Sequence, residues 1–469
     1  MIFTQYYLGC LSQASYLIGD ERTGTAVVVD PRRDVDEYLA DAAARGLRIE
    51  HAILTHFHAD FVAGHLELRD RVGARIHLGG RAQADYDFSP LRDGDVLEFG
   101  QVRLRVLETP GHTPEAISLL LYDLAVSERE PQAVLTGDTL FIGDVGRPDL
   151  MASVGVSANE LAGMLYDSIH QKLLPLPDAT LVYPGHGAGS ACGKHLSQER
   201  VSTIGVQRQY NYALQSMSRE RFVQVITADQ PTAPAYFAYD AELNRRERAT
   251  LDAVLARELR RLSLTEVLAA QAAGAQLLDV REPADFAAGH LAGSLNISLG
   301  GRFAEWAGIL LSPAHPIVLV TASGHEHEAA IRLGRVGLDS VAGYLDGGIE
   351  AARNRPDLVR RVERVTAGAL RELLETERLP VLDVRTGAEW RSESIPGSVN
   401  VPLHELRARL ADVPAGPRLV VHCQSGLRSS TAVSLLAQLG RTGLVDLVGG
   451  IVAWKVATEP MPAAPPSGR

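Results

Sequence analysis

The stretch Thr55-His56-Phe57-His58-Ala59-Asp60-Phe61 sets two imidazoles and a carboxylate at alternate positions just beyond a short apolar run, His51 to Leu54. Such a run reads as a buried strand, and side chains beyond a strand end are free to converge on one point. Clustered nitrogen and oxygen donors are what a metal ion requires. Three more runs end in the same way. Val102 to Leu107 leads into Thr109-Pro110-Gly111-His112-Thr113-Pro114, Ala133-Val134-Leu135 into Thr136-Gly137-Asp138-Thr139, and Thr180 to Tyr183 into Pro184-Gly185-His186-Gly187. Each turn contains glycine, which lets the backbone approach closely and aim one His or Asp at a shared centre. Four strand ends in order predict a single metal site.

A second kind of chemistry lies in Val420-Val421-His422-Cys423-Gln424-Ser425-Gly426-Leu427-Arg428-Ser429. Here a strand ends, Cys423 opens a tight loop, and a helix is expected to begin near Ser429. Successive amide groups and a helix N-terminus form a cradle for negative charge. The Cys423 thiolate should be stabilised there, with its pKa below the ~8.5 of a free thiol, which makes it a nucleophile. Arg428 would bind an anionic substrate or hold the loop. The Cys-x5-Arg frame also occurs in tyrosine phosphatases, so the loop alone is ambiguous.

Its surroundings repeat within the chain. Leu277-Leu278-Asp279-Val280-Arg281 matches Val381-Leu382-Asp383-Val384-Arg385, Gly293-Ser294-Leu295-Asn296-Ile297 matches Gly397-Ser398-Val399-Asn400-Val401, and Gly347-Gly348-Ile349 matches Gly449-Gly450-Ile451. Strand-like and helix-like runs alternate in both copies, implying α/β domains with parallel sheets. Aligning Ser323-Gly324 with Ser425-Gly426 puts Thr321 at the cysteine position and Glu326 at the arginine position. A hydroxyl cannot carry a persulfide and a glutamate repels an anion, so the first copy is expected to be inactive, a spacer or docking platform.

The 469 residues predict about three domains. A hydrophobic fraction of 46% and a charged fraction of 22% are ordinary for a globular protein, and the net charge of −11 argues against a nucleic-acid partner. No apolar run reaches the roughly 18–20 residues of a membrane span, and Met1 to Leu17 lacks the basic start of a signal peptide. Three cysteines, Cys10, Cys192 and Cys423, make a disulfide framework improbable and predict a reducing, cytoplasmic setting. Cys10, among apolar neighbours, is expected in the core. Leu196 to Ile226 reads as helical, with Val201, Ile204, Tyr210, Leu214 and Met217 along one face. Pro231, Pro234, Tyr236, Phe237 and Tyr239 read as an extended linker packed on the first domain.

The four metal stations, in order over approximately residues 1–240, resemble the metallo-β-lactamase superfamily, which implies an αββα sandwich with metals at one edge of the facing sheets. Glyoxalase II, a two-metal member, carries a further His directly after the motif aspartate. Here that position is Phe61, which cannot coordinate and dries the pocket, so one metal is expected. Within the superfamily the resemblance is closest to the persulfide dioxygenases. It implies His56, His112 and Asp138 as ligands of one Fe(II), with His58, Asp60 and His186 orienting them or bound water. Two imidazoles and a carboxylate suit non-haem Fe(II), although zinc accepts the same donors. In the loop Gly143-Asp144-Val145-Gly146-Arg147-Pro148-Asp149, the resemblance implies Arg147 as the anchor for a carboxylate of the thiol carrier. A planar guanidinium suits that task, and an Arg147–Asp149 pair that only fixes the loop is the alternative. Cys192, with Lys194 close by to favour a thiolate, resembles a cysteine of rhodanese-fused members; it is expected near the pocket mouth, able to carry sulfur, with a buried inert thiol as the alternative. Both C-terminal copies resemble rhodanese domains.

The expected architecture is therefore α/β and multi-domain: a metallo-β-lactamase-like αββα sandwich at 1–245, an inactive rhodanese-like domain at 260–356 and an active rhodanese domain at 362–460, both with parallel sheets. The expected activity is oxidation of a low-molecular-weight thiol persulfide by O₂ to sulfite and thiol at the mononuclear Fe(II). Cys423 would transfer sulfane sulfur to or from sulfite in thiosulfate chemistry, in the service of sulfide detoxification. Small-molecule partners, no nucleic acid, no membrane and a homo-oligomer are expected. The rival reading is a mononuclear zinc thioester hydrolase of the glyoxalase II type with rhodanese domains as sulfur sensors.

Overall fold

The apolar runs fold into strands of two six-stranded sheets. In this computed structural model, which describes residues 1–150, 155–230, 232–377 and 379–458, the first sheet has the order Ile2–Leu8, Gln13–Asp20, Thr25–Val29, Arg48–Ile53, Arg75–Gly79, Ser89–Leu91. The second has the order Ser202–Thr203, Leu181–Pro184, Ala133–Gly137, Ile117–Asp123, Val102–Glu108, Val96–Phe99. Pro231 and the last residues of the expected third domain, 459–460, lie outside the described residues.

Side-chain alternation explains why the central strands are apolar on both faces. Tyr16, Ile18, Val27 and Val29 meet Val102, Leu104, Leu119, Leu121 and Leu135 of the second sheet in one core. Their neighbours Leu17, Ala26 and Val28 point the other way, onto Tyr38 and Ala42 of the helix Asp36–Ala44. Beyond the second sheet, Leu120, Val134 and Val182 pack on Leu165 of Ala158–Ser168, Ile204 of Ile204–Tyr210 and Phe222 of Arg219–Thr227. The layers are thus helix, sheet, sheet, helix. Each Val, Leu or Ile fully buried in them contributes about 1.5–3 kcal/mol.

The chain divides into two compact units, Met1–Ala256 with Ile331–Asp339, and Arg257–Ala330 with the described residues from Ser340 onward. The second unit contains two five-stranded parallel sheets. One has the order Arg261–Leu262, Val341–Leu345, Ile317–Val320, Gln276–Asp279, Leu295–Asn296; the other has Glu363–Val365, Leu444–Leu447, Leu419–His422, Val381–Asp383, Val399–Asn400. The two match strand for strand. Ile317–Val320 and Leu419–His422 are buried throughout, as central parallel strands must be.

Three sequence expectations are corrected. The stretch read as an extended linker contains the helix Phe237–Arg245, whose buried residues Phe237, Asp240 and Asn244 fall at helical spacing. Leu196 to Ile226 is not one helix: Ile204–Tyr210 ends at Asn211, a short turn follows, and Ser218 caps a new helix, Arg219–Thr227, through the Arg221 amide. Val201 and Tyr210 are exposed. Cys10 is half-buried and not part of the core.

Candidate metal centre and cysteine loop

All four polar stations of the first unit lie at strand ends on one edge of the paired sheets. His56 follows Arg48–Ile53, His112 follows Val102–Glu108, Asp138 directly follows Ala133–Gly137, and His186 follows Leu181–Pro184. Gly137 has φ of 49°, and a Cβ there would come within 2.5 Å of Thr55 Oγ1, so the Asp138 turn can pass the His56 loop only as glycine.

One ligand atom from each of His56, His112 and Asp138 falls in a cluster within 4.8 Å. His56 Nε2 and His112 Nε2 stand 3.8 and 3.6 Å from Asp138 Oδ2. His56 Nε2 and Asp138 Oδ2 are buried and have no hydrogen-bond partner, which is costly for polar atoms unless something else binds them. The other ring nitrogens are engaged. Asp30 takes the Thr55 amide (2.7 Å) and hydroxyl (2.8 Å), so Thr55 Oγ1 is left to accept from His56 Nδ1 at 3.0 Å. His112 Nδ1 donates to the Arg147 carbonyl at 2.8 Å. Both rings are thereby fixed in the tautomer with a bare Nε2 aimed at the centre. A divalent ion that favours two imidazoles and a carboxylate fits this donor set.

The residues expected to orient the ligands are also here. His58 Nε2 donates to Asp30 Oδ1 at 3.0 Å. His186 lies between two carboxylates, with Nδ1 2.9 Å from Asp138 Oδ1 and Nε2 2.8 Å from Asp60 Oδ2. Burial opposes its charge, but Asp138 and Asp60 outweigh burial and hold the imidazole well above its ordinary pKa. Burial alone would raise Asp138; His186 and His56 instead hold it far below the usual carboxylate range. Phe61 is buried, its ring 4.3 Å from the His58 ring and 6.5 Å from the His186 ring.

Cys192 joins Asp60 and His186 in a second set with ligand atoms within 4.8 Å. It is 1% exposed, and burial, then Asp60 and Asp138, push its thiol well above the ordinary value. Of the two readings offered for this residue, the buried thiol is the one found. Lys194 does not help it, because its ammonium binds the Val225 and Ala228 carbonyls. Arg147 is buried and grips Asp149 bidentately at 2.7 Å through Nε and through Nη2, with Nη1 3.2 Å from the Ala191 carbonyl. The loop-fixing pair is formed.

Three residues at this site escaped the sequence reading. Asp30 sits at a strand end as the others do, in Val29-Asp30-Pro31, with φ of 50°, but without a histidine or glycine to mark it. Glu115 accepts the Phe57 amide at 3.0 Å. Asn244, on the helix Phe237–Arg245, donates to the carbonyls of His58 and Phe61 and accepts the Ala63 amide, each at 2.8 Å. Nothing in the sequence near Asn244 points to the loop it holds.

In the second unit, Cys423 ends the strand Leu419–His422 and is 1% exposed, and the helix Leu427–Gln438 begins beside it. The Gly426 amide donates to its sulfur at 3.2 Å. Arg428 binds Glu389 bidentately at 2.9 and 2.7 Å, so the cation of this loop has an internal counter-ion. The repeated Leu-Asp-Val-Arg motif is a staple: Arg385 Nη2 donates to Asp383 at 2.7 Å and to the Glu393 carbonyl at 2.6 Å, while Asn400 holds the Asp383 and Arg385 carbonyls. Arg281, Asp279 and Asn296 make the same contacts in the first copy. There the reactive loop differs: Glu326 accepts the Gly324 amide at 2.9 Å and the Thr321 hydroxyl at 3.2 Å, filling the cradle with its own carboxylate.

Residues 8–186 match the metallo-beta-lactamase superfamily, and residues 263–355 and 366–457 each match the rhodanese-like domain. The mitochondrial persulfide dioxygenase ETHE1 of Bos taurus is 32% identical over 216 residues, 45% of this chain and 75% of that protein. A hydroxyacylglutathione hydrolase of Rhodospirillum rubrum is 31% identical over 232 residues, 49% of this chain and 80% of that one. The crystal structure of a metallo-beta-lactamase from Staphylococcus aureus aligns with a TM-score of 0.65 and 32% identity, covering 73% of this chain and 98% of the other. The chain belongs to the metallo-β-lactamase superfamily, with persulfide dioxygenase homologues over its first half and two rhodanese-like domains in its C-terminal region.

Proposed function

We propose that the protein is a persulfide dioxygenase with sulfurtransferase activity, acting on a low-molecular-weight thiol persulfide with one Fe(II) per chain. The observation that carries this reading is the convergence of the bare His56 Nε2 and Asp138 Oδ2 with His112, beside a phenyl ring at position 61. The metal-bearing domain would span 1–245, the cysteine-free rhodanese-like domain 260–356 and the active one 362–460.

His56, His112 and Asp138 would hold the metal, which when bound supplies oxygen activation and a site for the terminal sulfur. Around it, Thr55 and the Arg147 carbonyl keep the two imidazoles in the ligating tautomer. His186 carries a proton between Asp138 and Asp60, and Phe61 and Phe141 keep water from that side. Arg147 would serve as carboxylate anchor only by releasing Asp149. Cys192, buried beside Asp60 and His186, would take sulfur by giving its proton to an entering persulfide anion and attacking the outer sulfur, the S–S bond of the persulfide breaking as the carrier thiolate leaves. Cys423 would exchange sulfane sulfur with sulfite or thiosulfate, while Glu326 and Thr321 leave the first copy inactive. A cytoplasmic homo-oligomer acting in sulfide detoxification completes the reading. Three unpaired cysteines suit a reducing setting, and among the described residues no helix is long and apolar enough to cross a membrane.

The second reading, a zinc thioester hydrolase, is favoured by the hydroxyacylglutathione hydrolase homologue. Metal analysis after anaerobic purification, with oxygen uptake on a panel of thiol persulfides, separates the two. Iron with uptake supports the dioxygenase; zinc, no uptake and thioester cleavage replace it with the hydrolase.

A further inference from the structure

The thiol of Cys423 is the start of a buried hydrogen-bond chain. Its Sγ lies 3.7 Å from Ser429 Oγ, within reach of a sulfur hydrogen bond, and Ser429 Oγ lies 2.6 Å from Asp446 Oδ1. A hydroxyl has one proton and two lone pairs; Ser429 Oγ also lies 3.2 Å from the Gly426 carbonyl, but the much shorter contact takes its proton to the carboxylate and leaves it to accept from the thiol. Ser429 and Asp446 are almost fully buried, at 0% and 2% exposure. Asp446 Oδ2 accepts from Arg364 Nε at 3.1 Å, which leaves Oδ1 to the serine.

The internal repeat separates what the fold needs from what the sulfur needs. The Asp-Val-Arg staple and its asparagine are present in both copies. Strand register equates Asp446, paired with Val421, with Tyr344, paired with Leu319, and the loop alignment equates Ser429 with His327. Thus Cys423, Arg428, Ser429 and Asp446 are all replaced in the first copy, by Thr321, Glu326, His327 and Tyr344. A parallel sheet of the same strand order is built there without Ser429 or Asp446.

We infer that Ser429 and Asp446 form a proton relay that deprotonates Cys423 as it attacks sulfane sulfur, with Ser429 in contact with the reacting atom and Asp446 as the positioning residue behind it. This rests on the reading of Cys423 as a sulfur acceptor. The thiol proton passes to Ser429 Oγ while the serine proton passes to Asp446 Oδ1. The serine hydroxyl then faces the thiolate together with the Gly426 amide, and Asp446 is neutral. Burial, opposed by Ser429 and Arg364, raises Asp446 above the ordinary carboxylate value, which makes it a better acceptor. With thiosulfate as donor, the thiolate pair forms a bond to the outer sulfur, the S–S bond of thiosulfate breaks, and its electron pair leaves with sulfite. The proton returns through Ser429 to give Cys423–S–SH. Cys-SH and S₂O₃²⁻ become Cys-S-SH and SO₃²⁻, with no external oxidant or reductant.

The other charged or titratable groups around the relay are Arg364 on Asp446, the Arg428–Glu389 pair, and Asp383 with Arg385 and His422. None of them touches the thiol proton through a hydroxyl.

The test is the pH profile of single-turnover sulfite release from thiosulfate by the full chain, wild type against Ser429→Ala, Ser429→Thr and Asp446→Asn. The relay predicts a loss of roughly 100-fold at neutral pH for Ser429→Ala and Asp446→Asn, as for other positioned bases. It also predicts convergence with wild type at high pH, where solvent takes the proton, and recovery in Ser429→Thr. An equal loss at every pH, or no loss, overturns it. Wild type inert at every pH overturns instead the sulfur-acceptor reading. The relay is then decided by the ultraviolet thiolate titration of Cys423, taken as the difference from Cys423→Ser. Removal of the second charge in Asp446→Asn lowers the midpoint if the two groups titrate as a pair; an unmoved midpoint overturns the relay.

Discussion

Ser430 donates a 2.6 Å hydrogen bond to Asn296 Oδ1, tying the helix that follows the Cys423 loop to the copy that has no cysteine. The Asn296 amide also donates to Ser434 one turn further along, at 2.9 Å. All three residues are buried, so the helix after Cys423 rests on the cysteine-free copy through polar contacts that must be kept satisfied.

Ser430→Ala should therefore destabilise the second unit by about 1–3 kcal/mol, because it leaves Asn296 Oδ1 buried without a donor. Urea unfolding followed by hydrogen exchange across Leu427–Gln438 measures it. An unchanged protection pattern would mean the contact is dispensable.

Asp30 touches no ligand atom but holds Thr55 and His58. Asp30→Asn removes the charge that directs the Thr55 hydroxyl, and with it the tautomer of His56. Metal affinity should fall roughly 10–100-fold, the usual effect of losing an orienting partner. Competitive chelator titration of the folded protein reads this directly.

Phe61→His should raise metal content from one ion to two per chain. Asp60 Oδ1 is buried without a hydrogen-bond partner, and His186, whose Nε2 faces Asp60 Oδ2, lies beside the phenyl ring, so an imidazole there completes a donor set with Asp60 and His186. Elemental analysis checks the stoichiometry; a content still at one ion after loading with excess metal would refute it.

Glu389 neutralises Arg428 and also caps its own helix through Thr386. Glu389→Gln keeps the cap, since glutamine serves in a capping box, and frees the guanidinium; the KM for thiosulfate should fall several-fold, about 1 kcal/mol of binding. The pH effect has a definite sign. Burial would raise the Glu389 carboxyl, but the Arg428 hydrogen bonds win and lower it from 4.5 to about 2. A depressed folded pKa gives stability that is fully present above pH 4.5 and is lost as pH falls toward 2. Acid unfolding of Glu389→Gln should lack that component.

Much of this was legible because the chemistry lies at strand ends. Runs such as Ala133-Val134-Leu135 announce a strand, and the Gly-Asp that follows announces where a side chain leaves it. The repeat made both parallel sheets readable, down to the loss of cysteine at Thr321. What escaped depends on contacts between residues distant in sequence. Asn244 reaches the His58 loop from a helix whose sequence resembles a linker, and Cys192 is buried beside Asp60 and His186 although Lys194 is only two positions away. The Arg147–Asp149 pair was foreseen only as one of two options, since sequence spacing does not say whether a salt bridge is closed.

Glu326 gives the first copy a built-in inhibitor. Its carboxylate occupies the amide and hydroxyl donors that an incoming anion would need, so restoring the nucleophile by Thr321→Cys alone should yield a thiol that no thiosulfate can approach. Sulfur transfer by this copy, measured in a Cys423→Ser background, should require Glu326→Arg as well. The first copy lacks the cysteine, and a carboxylate of its own fills the loop where that cysteine would stand.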